Sequence, residues 1–354
     1  MAKQLKVAVV GAGIGKSHIY SYQGLPDQFE VTAVCDIDAS RARELAEECT
    51  VAQVFTDLAE LCHVDELDII DICTPSFLHY AHTLQVLESG KHVVCEKPVA
   101  GSLKEVDHLI RAEADSGKRV MPIFQYRFGH GLQKLKYLIA QGIAGQAYLT
   151  TVETAWRRRA EYYAVPWRGK WETELGGPLV TLAIHAHDAL YYILGPAKSV
   201  LARTTTLVNP IQTDDCISAS LEMADGSLAS LSVTTGSVAQ ISRHRFCFSG
   251  LTAESNTEPY RNTSDPWTFS GDSPELERQI EEALSVFDPM PEHFMGQFAR
   301  FHEALTNGTE LPVTLSDARN SLELITAIYH SAEAGEIVNL PIDAGHPKYA
   351  GWQP

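Results

Sequence analysis

The sequence predicts an α/β protein in which a doubly wound parallel sheet precedes a second α/β domain built mostly on antiparallel strands. Three observations predict it. Through the first 124 residues, short apolar runs rich in Val, Ile and Cys alternate with amphipathic stretches, as a parallel sheet covered on both faces requires. The first run, Leu5–Val10, passes directly into Gly11-Ala12-Gly13-Ile14-Gly15. Beyond Ala197 the pattern turns to successive β-rich runs, two of them separated by the hairpin pair Asp225-Gly226.

A length of 354 residues suggests two domains, with a boundary expected between residues 124 and 125. The chain is 45% hydrophobic and 21% charged, an ordinary globular composition. Its net charge of −17 argues against nucleic-acid partners and against attachment to an anionic membrane. No apolar stretch approaches the ~18 residues of a membrane span. Met-Ala-Lys-Gln-Leu-Lys runs into the first strand without a signal-peptide core, so a cytoplasmic location is expected. The seven cysteines include no C-x-x-C pair and are odd in number, which reads as reduced thiols. Cys35, Cys73 and Cys95 fall in apolar strands and are expected in the core. There are fourteen histidines but no H-E-x-x-H, and no metal is expected.

In the first domain, the glycine turn after Leu5–Val10 leads into a short helix. Such a turn lets backbone N–H groups and a helix N-terminus approach a pyrophosphate. Its spacing, G-x-G-x-G, is one residue short of the usual G-x-G-x-x-G. The strand over residues 30–35 ends at Asp36, 21 residues past Gly15. An acid at that distance accepts hydrogen bonds from the adenosine ribose of NAD and repels the 2′-phosphate of NADP. Arg41, in a helix expected over residues 39–48, is the competing signal; NAD is favoured and NADP less so. A short helix starts near Thr56-Asp57. A strand over residues 67–73 ends in Thr74-Pro75-Ser76, followed by a helix to about Ser89. Thr74-Pro75 is either a cofactor contact beside the glycine turn or a simple helix start. His92–Cys95 is the next strand, and Ser102 with Glu105 caps a helix over Leu103–Ser116. Residues 119–124 complete a sheet counted at six strands. Lys97 lies just past the strand end at Cys95, where open α/β sheets bind ligands. An amine beside a nicotinamide ring can serve there as a proton acceptor.

The second domain opens on Gln125-Tyr126-Arg127-Phe128 and a helix to about Gln141. Arg127 either pairs with substrate or braces the interdomain hinge. A strand is expected over residues 145–155. The stretch Trp156-Arg157-Arg158-Arg159, Tyr162-Tyr163 and Trp167-Arg168-Gly169-Lys170-Trp171 follows. Aromatic faces pack on sugar C–H surfaces, and arginines hydrogen-bond hydroxyls, carboxylates or phosphates. The stretch is therefore read as a substrate-side loop for an acidic or larger sugar, with Arg157, Tyr163 and Arg168 nominated; self-packing of its aromatics is the alternative. In Gly176-Gly177-Pro178 through Asp188, Thr181 and His185 stand i, i+4 and are expected to share one helix face, with Asp188 orienting His185. His187 falls on another face and is expected to be structural. Strands are expected over residues 200–208, Cys216–Met223, 227–235 and 243–248. Residues 249–290 read as a long polar excursion, an oligomer arm or a site lid, before helices from about Glu292 and Ser316.

Gly11-Ala12-Gly13-Ile14-Gly15-Lys16-Ser17-His18, Thr74-Pro75-Ser76-Phe77-Leu78-His79 and Cys95-Glu96-Lys97-Pro98 resemble the signatures of the Gfo/Idh/MocA oxidoreductases, relatives of glucose–fructose oxidoreductase and inositol dehydrogenases. The segment from Gly176 to Asp188 resembles their second signature. The resemblance implies an N-terminal Rossmann domain and a C-terminal α/β domain with an open sheet. It also implies a homodimer or homotetramer through that sheet. The cofactor contacts expected are Gly11, Gly13, Ile14, Gly15, Asp36, Thr74, Pro75, His79, Glu96 and Lys97. Lys97, Thr181 and His185 are expected to meet substrate, with His185 as the catalytic histidine. Many relatives carry Asp where this chain has Thr181, and threonine cannot carry a proton as a carboxylate does. The expected activity is NAD-dependent oxidation of a secondary alcohol of a sugar, cyclitol or sugar acid, with Lys97 and His185 handling the proton. A redox-neutral isomerase, lyase or glycosidase with tightly bound NAD is the alternative, and a non-enzymatic NAD sensor is a third.

Overall fold

Six short apolar runs pair in parallel in the computed structural model, which describes residues 3–353. They are β1 (Leu5–Val10), β2 (Phe29–Cys35), β3 (Gln53–Phe55), β4 (Ile69–Ile72), β5 (His92–Cys95) and β6 (Val120–Pro122), ordered β3-β2-β1-β4-β5-β6. Val7, Val9, Ile69, Ile70, Ile72, Val93 and Val94 are fully buried, which is why these strands carry no polar alternation. The strand order reverses between β1 and β4, so the ends of those strands frame a topological switch point. The sheet was counted at six strands, but β3 was not located: three residues at a sheet edge show no period.

Helix starts follow local chemistry. Asp38 accepts from Ser40 N at 2.9 Å and Arg41 N at 3.3 Å, opening helix Ala39–Cys49. Ser102 Oγ accepts from Glu105 N at 3.1 Å, while the Glu105 carboxylate accepts from Gly101 N at 2.7 Å. The return bond therefore lands one residue earlier than in a standard capping box.

The chain divides into two compact units. The first holds the residues up to Phe124 together with Phe294–Arg319, and the second holds Gln125–His293 and the residues from Asn320 on. The second domain is expected over residues 125–354, with the C-terminal helix free to pack back on the first domain. The apolar face of helix His293–Asn307 accounts for its place in the first unit. Phe298 stacks on Tyr22 with ring centroids 4.0 Å apart, and the Gln297 amide joins Phe124 N at 3.2 Å to Pro122 O at 2.7 Å. Phe298 and Phe301 are fully buried, each stabilising the unit by about 1.5–3 kcal/mol.

The second unit is built on β7 (Ala147–Arg157), β8 (Ala197–Thr205), β9 (Cys216–Met223), β10 (Leu228–Thr234), β11 (Gly236–Phe248), β12 (Leu251–Glu254), β13 (Thr268–Gly271) and β14 (Val338–Asn339). Their order is β13-β12-β11-β7-β10-β9-β8-β14. All neighbours pair antiparallel except β7 and β10, which are parallel. Ile217, Ala219, Leu221 and Met223 of β9 are buried while Ser218 and Ser220 are exposed, the alternation of a sheet with one covered face. The region read as a polar excursion extends the sheet. β12 and β13 lie within it, and Ser273 caps helix Pro274–Ser285 there.

Candidate functional site

In the first unit the three turn glycines have three separate jobs. Gly11 has φ +108°, and a Cβ there would run into the Cys73 carbonyl. A Cβ on Gly15 would stand 2.8 Å from Val9 Cγ1, so this glycine lets helix Gly15–Gln23 sit against β1. Gly13 has open space where its Cβ would be, leaving the backbone approachable by a ligand. These are the turn, packing and close-approach roles of a dinucleotide-binding fingerprint, achieved with the shorter spacing. Ile14 beside them is exposed. We expect Gly11→Ala to cost at least about tenfold in NAD affinity, because roughly 1–2 kcal/mol of left-handed strain falls on the turn. Calorimetric titration with NAD checks this; an unchanged Kd would place the turn outside the cofactor site.

Asp36, buried at the end of β2, is locked against that turn. Its carboxylate accepts from Ala12 N at 2.8 Å and from Asp38 N at 3.0 Å. The Arg41 guanidinium lies 3.8 Å from it, making the Asp–Arg pair that competes with a phosphate role for Arg41. The donors and open space present thus fit a dinucleotide whose ribose meets an acid.

Thr74-Pro75 and Glu96-Lys97-Pro98 follow β4 and β5, and His79 joins them. His79 had been expected to touch cofactor. It is buried, with Nδ1 2.8 Å from Pro98 O and Nε2 2.7 Å from Thr74 O, and so staples the two turns together. Lys97 is half-buried on its turn, and its backbone N–H donates to the Glu96 carboxylate at 3.1 Å. The other Glu96 oxygen lies 3.2 Å from His18 Nε2, and His18 Nδ1 lies 2.8 Å from Asp71. His18 is fully buried. Burial opposes its charge, but Asp71 and the neighbouring Cys73, with their hydrogen bonds, outweigh that and hold its pKa well above the ordinary range. Among the described residues, His18, Asp71 and Cys73 form a group whose ligand-type atoms lie within 4.8 Å of one another. Sequence reasoning missed this network. The available signals were a histidine three residues past Gly15 and an acid inside an otherwise apolar strand.

In the second unit, Gly177 approaches Asp214 so closely that a Cβ would strike its carbonyl. Gly177 N and the Tyr329 hydroxyl donate to one Asp214 oxygen at 2.9 and 2.5 Å. Burial pushes the Asp214 carboxyl pKa up, against the pull of those donors. Pro178 then opens the four-residue helix Pro178–Thr181, and the Thr181 hydroxyl donates to Gly177 O at 3.1 Å. That helix ends there, and a second begins at Ile184–Leu194. Thr181 and His185 therefore do not share one helix face as expected; a turn at Leu182-Ala183 separates them. His185 is buried under the Tyr126 ring, with centroids 4.7 Å apart and planes 19° apart. Asp188 receives the Arg127 guanidinium on both oxygens, at 2.7 and 2.6 Å, with both groups buried. This pairing fastens the turn Gln125–Phe128 to helix Ile184–Leu194 within the second unit. His187 is buried, its pKa drawn down to about 3 by burial and by His244, as a neutral structural histidine.

The aromatic-basic stretch is anchored to the same framework. Gly169 N donates to Glu174 at 2.5 Å, Gln212 N to Gly169 O at 2.9 Å, and Trp171 Nε1 to Gln212 O at 3.0 Å. The Trp171 and Tyr329 rings lie 5.3 Å apart, which links the loop to Asp214 and Gly177. Arg157 is exposed and pairs with Glu161 at 3.2 Å, while Tyr163 is half-buried against Tyr162. Arg168 lies over the Tyr162 ring at 3.6 Å. The aromatics and arginines of this loop pack on one another.

Comparison with known proteins bears on both units. The Gfo/Idh/MocA NAD-binding Rossmann model matches residues 5–124, and the C-terminal α/β model of the same family matches residues 136–340. D-glucoside 3-dehydrogenase of Escherichia coli K12 is 29% identical over 95% of this chain and 97% of its own length. A scyllo-inositol 2-dehydrogenase (NADP+) of Bacillus subtilis 168 is 23% identical over 95% and 96%. The WlbA dehydrogenase of Bordetella pertussis, crystallised with NADH and UDP-GlcNAcA, superposes with a TM-score of 0.85 at 28% identity, over 96% of this chain and 100% of its own. No helix among the described residues is long and apolar enough to cross a membrane. With its glycine turn, its acid at the end of β2 and both family domains in order, the chain belongs to the Gfo/Idh/MocA family and is an NAD-binding oxidoreductase.

Proposed function

We propose that the protein oxidises a secondary hydroxyl of a sugar, cyclitol or sugar acid, with NAD rather than NADP as the preferred cofactor. The observation that carries the reading is Lys97, held on a turn at a strand end by Glu96 beneath it and by the His79 staple beside it. When bound, the nicotinamide accepts a hydride; the chain must bind the alcohol, orient it and remove its proton. Lys97 donates a hydrogen bond to the reacting hydroxyl, and Lys97 or His185 takes the proton as the carbon–hydrogen bond breaks. The Thr181 hydroxyl, already turned toward Gly177 O, assists as a hydrogen-bonding group and not as a base. Dehydrogenase relatives acting on glucosides and inositols support a polyol substrate. A keto product formed together with an equal amount of NADH is expected. Product formed without NADH would favour the second reading, redox-neutral chemistry with retained NAD. Thr181, a hydroxyl that cannot carry a proton as a carboxylate does, keeps that reading in view. We further propose that copies associate through the second unit's sheet.

The cofactor preference rests on Asp36. Asp36→Ala is expected to weaken NAD binding about tenfold, the value of one lost charge-assisted hydrogen bond pair. It should also narrow the gap between NAD and NADP. Titration of both nucleotides checks this; unchanged Kd values for both would remove Asp36 from the ribose site.

A further inference from the structure

The loop after β7 holds more positive charge than its own acids neutralise. Arg157 is paired with Glu161. Arg159 donates to the backbone carbonyls of Arg158, Thr235 and Gly236 and serves as a pin. Lys170 is exposed to solvent, and of the arginines Arg158 and Arg168 remain. Arg158 sits among three rings, 5.0 Å from the Trp156 centroid, 5.1 Å from Tyr162 and 5.9 Å from Tyr260. One of its terminal nitrogens is used by Arg157 O at 2.8 Å and Gln240 Oε1 at 3.0 Å, and the other donates to the Tyr260 hydroxyl. Arg168 lies over the same Tyr162 ring at 3.6 Å and over Trp167 at 4.8 Å. Its Nε is buried without a hydrogen-bond partner. Glu174, six residues on, accepts the Gly169 N–H.

Two guanidinium groups therefore meet the same Tyr162 ring, and neither forms a salt bridge to a carboxylate among the described residues, in a chain whose net charge is −17. Like charges held this close repel, and a buried guanidinium N–H without an acceptor costs free energy. Burial draws the Arg168 pKa below its ordinary value; Glu174 opposes that and Arg158 adds to it. An incoming oxyanion reduces both costs, by accepting hydrogen bonds from the Arg168 guanidinium and neutralising the pair. The flanking aromatic faces suit a sugar ring attached to that oxyanion.

We propose that Arg158 and Arg168 form an oxyanion-recognition site, and that the substrate is a sugar bearing a carboxylate or a phosphate. This deepens the polyol dehydrogenase reading and rests on it for the word substrate, but the binding site stands without the redox chemistry. The test is tryptophan-fluorescence titration of the full chain, without NAD, using glucuronate, glucose 6-phosphate and glucose. One of the two anions should bind at least about tenfold more tightly than glucose, and the better anion identifies the oxyanion. Its affinity should fall as salt is raised. Arg168→Gln should lose about tenfold or more for that anion while glucose is unaffected. Arg278→Gln, which removes the same charge from an exposed helix, should bind as the wild type does. The salt titration keeps the test decisive if Arg168→Gln fails to fold. Equal binding of glucose and both anions overturns the proposal, as does anion binding indifferent to salt or to Arg168→Gln. If the anion binds as described and no NADH forms with any substrate, the dehydrogenase reading fails alone. If NADH forms as well from neutral sugars as from the anionic ones, and Arg168→Gln lowers neither, the oxyanion site fails alone.

Discussion

Lys97→Ala is expected to lower turnover by about 10²–10⁴-fold, the usual worth of a positioned acid–base group, with little change in NAD affinity. The reasoning separates the side chain from its backbone. The turn is held by the Lys97 N–H to Glu96, by His79 to Pro98 O, and by the sheet ladder, in which Glu96 N donates to Ile72 O at 2.9 Å. None of these uses the Lys97 ammonium, so the alanine variant should keep the turn and the glycine cradle. A fall in kcat with an unchanged NAD Kd is the signature of a group acting on the reacting hydroxyl. Full turnover would remove Lys97 from the chemistry. Loss of NAD binding in proportion to turnover would make it a cofactor-binding residue only.

The second large effect is on stability. Asp188→Ala should destabilise the second unit by about 3–5 kcal/mol, because it leaves the Arg127 guanidinium buried without its counter-charge. Asp188→Asn keeps the shape and one acceptor and should cost less. The double variant Arg127→Met, Asp188→Leu should recover much of the loss, since removing both charges of a buried pair is often near neutral. Urea unfolding followed by tryptophan fluorescence reads all three. A midpoint for Asp188→Ala equal to that of the wild type would contradict the bracing role. The same variants also separate bracing from catalysis. If Arg127 acts only through the brace, the double variant should regain stability and turnover together.

What the sequence made legible follows from range. β1, β5 and the glycine turn depend on neighbours within a few residues, and apolar runs with turn residues mark them clearly. Lys97 was legible for the same reason, since a strand end in an α/β sheet is itself a positional signal. The His18–Asp71–Glu96 network was not: its partners are 53 and 78 residues apart, and no local period records such a pairing. The His79 staple was not legible either, because its carbonyl partners come from two different turns. The break between Thr181 and His185 was hidden because Leu182 and Ala183 are good helix formers. The first helix closes where Leu182 N and Ala183 N both donate to Pro178 O, while the Gly177–Asp214 contact fixes its start. Helix His293–Asn307 was found, but its apolar stripe does not say which unit it covers; Tyr22 and Pro122 decide that.

The central claim is that the protein catalyses net oxidation of an alcohol with NAD. Absorbance in the NADH band, recorded after mixing the purified protein with NAD and a panel of inositols, aldoses, anhydrosugars, aldonates, uronates and sugar phosphates, tests it most directly. The account predicts growth of the band with one class, strongest among the anionic sugars, and its loss in Lys97→Ala. A silent panel, with NAD still bound to the protein, would contradict it and leave the redox-neutral reading in its place.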